Sequence, residues 1–218
     1  MSTTLNKRLG YEIGIGSAHG AMEHELACGR GSYPKFNQEY CENLLQKIKD
    51  LNITSVSDYG CGNMETYKDY IDWNLNNIDY NGYDVHVGCI EENKKRYPQY
   101  KFFTMELNSF PPENQALIIK DVLIHWFDEE IEWFFNNVFK NFRYVFYMHS
   151  TTERGYKTWK HRHAPYKGYE IDQLCDKNLY GYKCVPHTTF PEDKIIFEKN
   201  IMADTMKTFI VFDRDATK

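Results

Sequence analysis

The sequence has no long apolar run and no paired cysteines. Six cysteines are spread over 218 residues without a C-x-x-C pair, so they do not indicate a disulfide framework. Residues 1–16 lack the apolar core of a signal peptide, and no stretch approaches the ~18 apolar residues of a membrane-spanning helix. We therefore expect a reduced, cytoplasmic protein with no membrane partner. The net charge of −5 argues against bulk nucleic-acid binding, although a local basic patch remains compatible with it.

The length and glycine distribution indicate one domain preceded by an arm. Residues 1–35 contain six glycines and few periodic apolar positions. This N-terminal arm either closes over a ligand as a lid or is a loose terminus. Residues 36–218 are enough for one domain with a full core. Within that domain, residues 150–192 show no regular pattern and are interpreted as a substrate cap. The composition does not indicate whether the protein is a monomer or an oligomer.

Strand and helix patterns alternate through the domain, which is typical of an α/β fold with a parallel sheet. Residues 36–51 carry apolar side chains at helical spacing. Further helices are expected from after Met64 to about residue 73, over 91–97, from Asp128 to about Val138, and near 171–177. Five strands are expected at 53–58, 78–84, 101–106, 116–121 and 143–149, followed by a closing pair at 194–198 and 206–213. The predicted sheet is mostly parallel and seven-stranded.

A glycine turn follows the first strand. It reads Asp58-Tyr-Gly60-Cys-Gly62-Asn-Met64. Glycine tolerates positive φ, and a strand–turn–helix arrangement brings backbone N–H groups and a helix N-terminus close to a ligand. A dinucleotide site would need a third glycine where Glu65 stands, and a P-loop would need a lysine followed by serine or threonine. The turn therefore favours a nucleotide-like ligand of another kind.

This turn resembles the first motif of the class I S-adenosylmethionine (SAM) methyltransferases. SAM has no pyrophosphate, so it does not require the third glycine. The segment Asp121-Val-Leu-Ile-His125 is similar to the D-V-L-x-H segment after the fourth strand of many small-molecule members. The resemblance covers about residues 53–149 and the closing hairpin. It implies a single Rossmann-like domain with a C-terminal antiparallel hairpin, SAM as the cofactor, and an enzyme that methylates a small-molecule acceptor.

The resemblance also implies which residues contact the cofactor. Asp84 ends the second strand, 26 residues after Asp58, where doubly wound folds place an acid on the ribose hydroxyls. The alternative is an ordinary surface aspartate at a strand–helix turn. Met105 and Glu106 would flank the adenine, and Asp121 would face the methionine end. The implied cofactor residues are Asp58, Tyr59, Gly60, Cys61, Gly62, Met64, Asp84, Val85, Met105, Glu106, Lys120 and Asp121.

Histidines follow the fourth and fifth strands. His125 and His149 are candidates for removing the proton of a hydroxyl or amine acceptor near neutral pH, and Asp121 is the third catalytic candidate. His125 is equally compatible with packing on a helix. The metal-dependent members of the family carry acidic ligands after both strands, whereas His149 and Ser150 follow the fifth strand here, so no metal is expected. Neither Asn-Pro-Pro-Tyr nor Pro-Cys follows the fourth strand, which disfavours base-amino and C5-cytosine methylation of DNA.

Residues 153–169 interleave cations with aromatic side chains. The predicted substrate contacts here are Arg154, Trp159, Arg162, His163 and Tyr166. This composition suits a sugar or another polar or anionic metabolite. It also suits single-stranded nucleic acid, and a solvated basic loop would show the same pattern. The alternatives are therefore a nucleic-acid or protein methyltransferase, or a SAM-binding protein without transferase activity.

Overall fold

The computed structural model describes residues 30–105, 114–122, 134, 137–150, 194–203 and 206–216. Seven strands form its single sheet. They are β1 (Ser55–Tyr59), β2 (Asp79–Asp84), β3 (Lys101–Thr104), β4 (Ala116–Lys120), β5 (Tyr144–Ser150), β6 (Ile195–Met202) and β7 (Met206–Asp213). The spatial order is β3-β2-β1-β4-β5-β7-β6. The strands β1 to β5 are parallel, whereas β7 is antiparallel to both β5 and β6. The predicted sheet, with its terminal antiparallel hairpin, is confirmed.

The centre of the sheet is formed by β1 and β4. The four residues Ala116 to Ile119 are fully buried, as expected for a parallel strand that is covered on both faces. The chain leaves β1 towards β2 on one side and enters β4 on the other, so the strand order reverses between these two strands. In open α/β sheets, ligands bind in the crevice at the carboxyl ends of the strands beside such a reversal. The topology therefore places the candidate site after β1, β2 and β4.

Helices cover the sheet where the apolar spacing predicted them. Helix α1 (Gln38–Asp50) buries Tyr40, Leu44 and Ile48, in agreement with the predicted face. Helix α2 (Val87–Arg96) begins four residues earlier than expected because His86 caps it. The His86 Nδ1 atom accepts a hydrogen bond from the Cys89 backbone N–H at 2.9 Å. Short 3₁₀ turns lie at Arg30–Ser32, Pro34–Phe36 and Phe139–Asn141.

A hydrophobic cluster packs on each face of the sheet. Alternating β4 side chains separate the two clusters, because Ile118 points into one and Ile119 into the other. The larger cluster joins α1 to the sheet and contains Trp73 and Tyr80, whose rings stack at 4.9 Å. The smaller cluster includes Phe134, which contacts the ring of Tyr59 at 5.4 Å. The site therefore lies at the edge of a sheet that is fixed from both faces.

The prediction of a helix after the glycine turn is wrong. Residues 62–70 and 73–77 form turns. The backbone N–H of Ile71 reaches the carbonyl of Tyr67 at 2.9 Å, but the N–H of Tyr70 bonds to the same carbonyl, so no continuous helical ladder forms. Tyr67 contacts the Trp73 ring edge-on at 5.3 Å. This aromatic packing against the core overrides the helical spacing of the sequence.

Several predicted features fall wholly or mostly outside the described residues. These are residues 1–29 of the arm, the helix from Asp128, the cap at 150–192 except the backbone of Ser150, and the helix near 171–177. Phe134 and Val138 are exceptions, and both are buried, as their helical spacing predicted. Among the described residues, no helix has the length and apolar character needed to cross a membrane.

Candidate functional site

The glycine turn after β1 has a left-handed backbone. Positive φ angles occur at Gly60 (87°), Gly62 (54°) and Met64 (66°). The N–H groups of Gly60 and Cys61 donate to the carbonyl of Tyr83 at 2.7 and 3.0 Å. The turn is therefore fastened onto the end of β2. The predicted arrangement, in which these N–H groups and a helix N-terminus face a ligand, needs correction because both donors are used by β2 and no helix begins here.

Gly60 is required by close packing inside the protein. A Cβ atom at this position would lie 2.3 Å from Cγ2 of Val122, well inside van der Waals contact. The chain leaving β4 thus approaches the glycine turn directly, and it brings the neighbouring residue Asp121 to the same edge. Both the positive φ and the contact with Val122 therefore require a glycine at position 60.

Asp84 is a buried and oriented carboxylate at the end of β2. One oxygen accepts from the Gly62 N–H and the other from the His86 N–H, both at 2.9 Å. The residue is only 8% exposed, so it is not an ordinary surface aspartate. Burial raises the pKa of Asp84 above its ordinary value, although these N–H donors oppose the rise. The backbone N–H of Val85 also faces this carboxylate. An ionised carboxylate has about four acceptor directions, so Asp84 can still accept a further hydrogen bond.

Asn93 supports the turn from α2. Its side-chain Nδ2 donates to the carbonyl of Gly62 at 2.7 Å, and the residue is fully buried. This bond fixes the carbonyl of Gly62, and the N–H of the same residue binds Asp84. Asn93 was not among the predicted site residues, yet the sequence contains a signal for it. It lies on the same helical face as the buried residues Cys89 and Ile90, where a polar side chain needs a partner.

Asp58 lies beneath the turn. It is 2% exposed, and its Oδ2 atom accepts a hydrogen bond from the Tyr80 hydroxyl at 2.7 Å. The same hydroxyl lies 3.1 Å from the sulfur of Met64. Burial raises the pKa of Asp58 to about 7, and the hydroxyls of Tyr80 and Tyr67 oppose this rise. Asp58 was predicted to contact the cofactor, but its position suits it to hold β1, β2 and the turn together.

Three charged side chains meet at the end of β4. The ammonium groups of Lys120 and Lys207 both donate to Oδ2 of Asp121, the former at 2.9 Å. Both lysines are almost fully buried, with 7% and 4% of their side chains exposed. Burial alone would raise the pKa of Asp121, but the two ammonium groups outweigh it and hold the pKa well below its ordinary value. Asp121 also has a positive φ of 56°.

The chain before α1 reaches the same edge. Lys120 Nζ donates to the carbonyl of Gly31 at 3.1 Å. Asn37, which is fully buried, donates from its side-chain amide to the carbonyls of Gly31 and Tyr33, both at 2.8 Å. The last described residues of the predicted arm are therefore fixed beside the end of β4.

The remaining predicted residues divide into three groups. Tyr59, Val85 and Met105 are buried in the smaller cluster, and the Met105 N–H continues the β2–β3 ladder by donating to the Asp84 carbonyl at 2.7 Å. The backbone of His149 lies in β5 and pairs with Thr208 at the same edge as Lys120. Outside the described residues lie Glu106, His125, Arg154, Trp159, Arg162, His163 and Tyr166.

Solved methyltransferase structures share this fold. Magnesium protoporphyrin IX methyltransferase from Synechocystis PCC 6803 with bound SAM has a TM-score of 0.59 and 14% identity, over 99% of this chain and 98% of that chain. The plantazolicin methyltransferase BpumL in complex with SAH has a TM-score of 0.59 and 11% identity, over 97% and 95%. The methyltransferase domain of bacterial CtHen1 has a TM-score of 0.55 and 14% identity, over 82% and 99%.

No protein-family model matches the sequence, and no curated protein matches it either. The structural likeness therefore establishes the fold, which is that of the SAM-dependent methyltransferases. The predicted Rossmann-like fold is confirmed.

Proposed function

We propose that this protein is a SAM-dependent methyltransferase that acts on a polar or anionic small molecule, such as a sugar. The observation that carries the proposal is the direct link between Asp84 and the glycine turn. A carboxylate held by the Gly62 N–H at the end of β2 lies in the crevice where this fold binds nucleotides. A carboxylate that keeps an acceptor direction in this place can accept a hydrogen bond from a ribose hydroxyl.

The residues of the edge fit the cofactor. Asp84 would accept from the ribose hydroxyls, and Val85 and Met105 beside it offer an apolar wall for the adenine. Asp121, after β4, has one buried oxygen without a hydrogen-bond partner in the described part of the chain, and this oxygen suits the α-ammonium of the methionine end. Asp58 and Asn93 would act as positioning residues that hold the turn.

The catalytic step that we propose needs few groups from the protein. SAM supplies an electrophilic methyl group on a sulfonium. The chain's own residues orient the acceptor oxygen or nitrogen in line with it, and such positioning can supply roughly 7–11 kcal/mol of barrier reduction. His149, at the carboxyl end of β5, and His125, after β4, are the proposed bases for the acceptor's proton.

The acceptor proposal depends on this chain's own residues. The proteins with the same fold include methyltransferases named for magnesium protoporphyrin IX and for plantazolicin, so the fold admits very different acceptors. The cations and aromatic side chains of residues 153–169 follow β5 directly and would reach the space beyond the methyl group. The buried lysines at the end of β4 add positive charge to the same edge. Both features favour a polar or anionic acceptor.

Calorimetric titration with S-adenosylhomocysteine tests the proposed cofactor site. Wild-type protein should bind it, and Asp84→Asn should weaken binding by roughly 1.5–3 kcal/mol, the range for a hydrogen bond to a charged group. Asp79→Asn is the matched control because Asp79 begins the same strand, is exposed, and pairs only with Lys101 among the described residues. Equal affinities in all three proteins would refute the site.

Methyl transfer itself needs a separate assay. Cell extract that contains small metabolites should yield S-adenosylhomocysteine when wild-type protein and SAM are added, and the Asp84→Asn variant should yield much less. Binding of SAM without any turnover in extracts, metabolite pools or oligonucleotides would support a SAM-binding protein that is not an enzyme.

A further inference from the structure

His86 links two of the contacts that hold the Asp84 carboxylate. Its backbone N–H donates to Oδ1 of Asp84, and its imidazole caps helix α2 by accepting from the Cys89 N–H, both at 2.9 Å. The same helix carries Asn93, whose amide holds the Gly62 carbonyl at 2.7 Å. Because the Gly62 N–H bonds to the other oxygen of Asp84, these contacts form a closed circuit. The position of the carboxylate therefore depends on how α2 begins.

The cap of α2 requires a neutral imidazole. The preferred N-cap residues are Ser, Thr, Asp and Asn, whose side-chain oxygens accept from the first N–H groups of a helix. An imidazole accepts only through a nitrogen that carries no proton, so the neutral ring of His86 has its proton on Nε2 and accepts at Nδ1. Protonation of Nδ1 would break this bond. It would also place a positive charge at the positive end of the helix dipole.

The imidazole is built into its position. His86 is only 9% exposed. A Cβ atom at position 88 would lie 2.7 Å from Cε1 and 3.2 Å from Nδ1 of the ring, so Gly88 leaves the space that the ring occupies in the first turn of α2. Asp84, on β2, is the charged group of the described chain that acts on this ring. Burial lowers the pKa of His86 below its ordinary value of 6.5, although the Asp84 carboxylate opposes this effect.

We propose that His86 is a positioning residue whose neutral imidazole sets the acidic limit of cofactor binding. This role rests on the proposed function and adds the start of α2 to the elements that prepare the site. When the ring takes up a proton, the first turn of α2 loses its cap, and the circuit that orients Asp84 and the Gly62 peptide is weakened. The cofactor therefore favours the neutral ring. By linkage, its affinity falls as the pH drops below the pKa of His86.

Calorimetric titration with S-adenosylhomocysteine between about pH 7.5 and about pH 5 tests this role. Asparagine is a good N-cap residue that does not titrate, so His86→Asn should match the wild-type affinity within about threefold at the upper pH. The wild-type affinity should then fall, relative to that of His86→Asn, by roughly 3- to 30-fold at the lower pH, the factor that corresponds to an N-cap bond. The ratio cancels the titration of Asp58 and Asp84, which both proteins contain.

Glu91→Gln is the matched control. It removes a titratable group from the same helix, at a side chain that is 55% exposed and pairs with Lys94. This variant should keep the wild-type pH profile. A pH profile of His86→Asn that is the same as that of the wild-type protein would overturn the role of His86.

A second measurement uses only the wild-type protein. The nitrogen chemical shifts of the His86 ring should show the tautomer with its proton on Nε2, and the pKa of the ring should fall when S-adenosylhomocysteine binds. A proton on Nδ1 of the neutral ring, or a pKa that is the same with and without the ligand, would overturn the inference. Either result, in a protein that binds S-adenosylhomocysteine, would leave the proposed function standing. Failure of the wild-type protein to bind this ligand at any pH would overturn both.

Discussion

Replacing Asp58 with asparagine should remove a pH dependence of stability that its buried carboxyl creates. Asp58 is 2% exposed and accepts a hydrogen bond from the Tyr80 hydroxyl. Its pKa rises from the ordinary value of 3.8 to about 7. Burial is the main cause and the Asp84 carboxylate adds to the rise, whereas the hydroxyls of Tyr80 and Tyr67 and the Lys120 ammonium oppose it.

The sign of the effect follows from the two pKa values. The folded protein holds this proton more tightly than the unfolded chain does, so folding is most favoured when the carboxyl is protonated in both states. The contribution to the free energy of unfolding is therefore full below pH 3.8 and declines as the pH rises to about 7. A pKa rise of this size corresponds to roughly 4 kcal/mol across that interval.

Urea unfolding followed by tryptophan fluorescence measures this effect, from about pH 4 to about pH 8. Other carboxyl groups also titrate in this interval, so the informative quantity is the wild-type free energy of unfolding minus that of Asp58→Asn. This difference should fall by roughly 4 kcal/mol as the pH rises, because asparagine has no proton to lose. Asp79→Asn, at an exposed carboxylate, should show no such trend. Parallel curves for wild type and Asp58→Asn would refute the reasoning.

Three further substitutions test the turn and the proposed base. Gly60→Ala should lower the free energy of unfolding by roughly 1–3 kcal/mol because of its positive φ and the contact with Val122, and adding Val122→Ala should restore part of the loss in urea unfolding. Asn93→Leu should leave the partly buried Gly62 carbonyl with only the Cys61 thiol as a donor, at 3.6 Å. It should cost roughly 1–3 kcal/mol of stability and weaken the binding of S-adenosylhomocysteine in calorimetry. If a histidine is the base, the rate of methyl transfer should rise with pH through a pKa of about 6.5. Replacing the histidine that acts as the base, His125 or His149, with alanine should lower turnover but preserve cofactor affinity. A pH-independent rate in both variants would contradict this role.

Local patterns were sufficient to predict the sheet. The run Ala116-Leu-Ile-Ile119 is apolar without interruption, as expected for a strand that is covered on both faces. An acid, Asp84, ends β2 at the edge that faces the crevice. The closing hairpin followed from two apolar segments on either side of Ala203. These signals lie within single segments of about four to eight residues, so they can be identified without knowing which segments become neighbours.

Long-range packing explains what the sequence did not predict. The spacing of Tyr67 and Ile71 is helical, but stacking of Trp73 on Tyr80 draws this segment into turns. The burial of Asp58 depends on side chains from α1, β2 and the turn, which no local pattern brings together. Lys207 could have been noticed as a lone cation in an apolar strand, yet its contact with Asp121 depends on the antiparallel placement of β7 beside β5.

The structure of the protein with S-adenosylhomocysteine bound is the measurement that tests the central claim most directly. We expect an adenosine at the carboxyl ends of β1 and β2, with its ribose hydroxyls within hydrogen-bond distance of the Asp84 carboxylate. The amino-acid end should point towards Asp121. A ligand bound elsewhere on the protein, or a ribose that makes no hydrogen bond to Asp84, would contradict the proposed site.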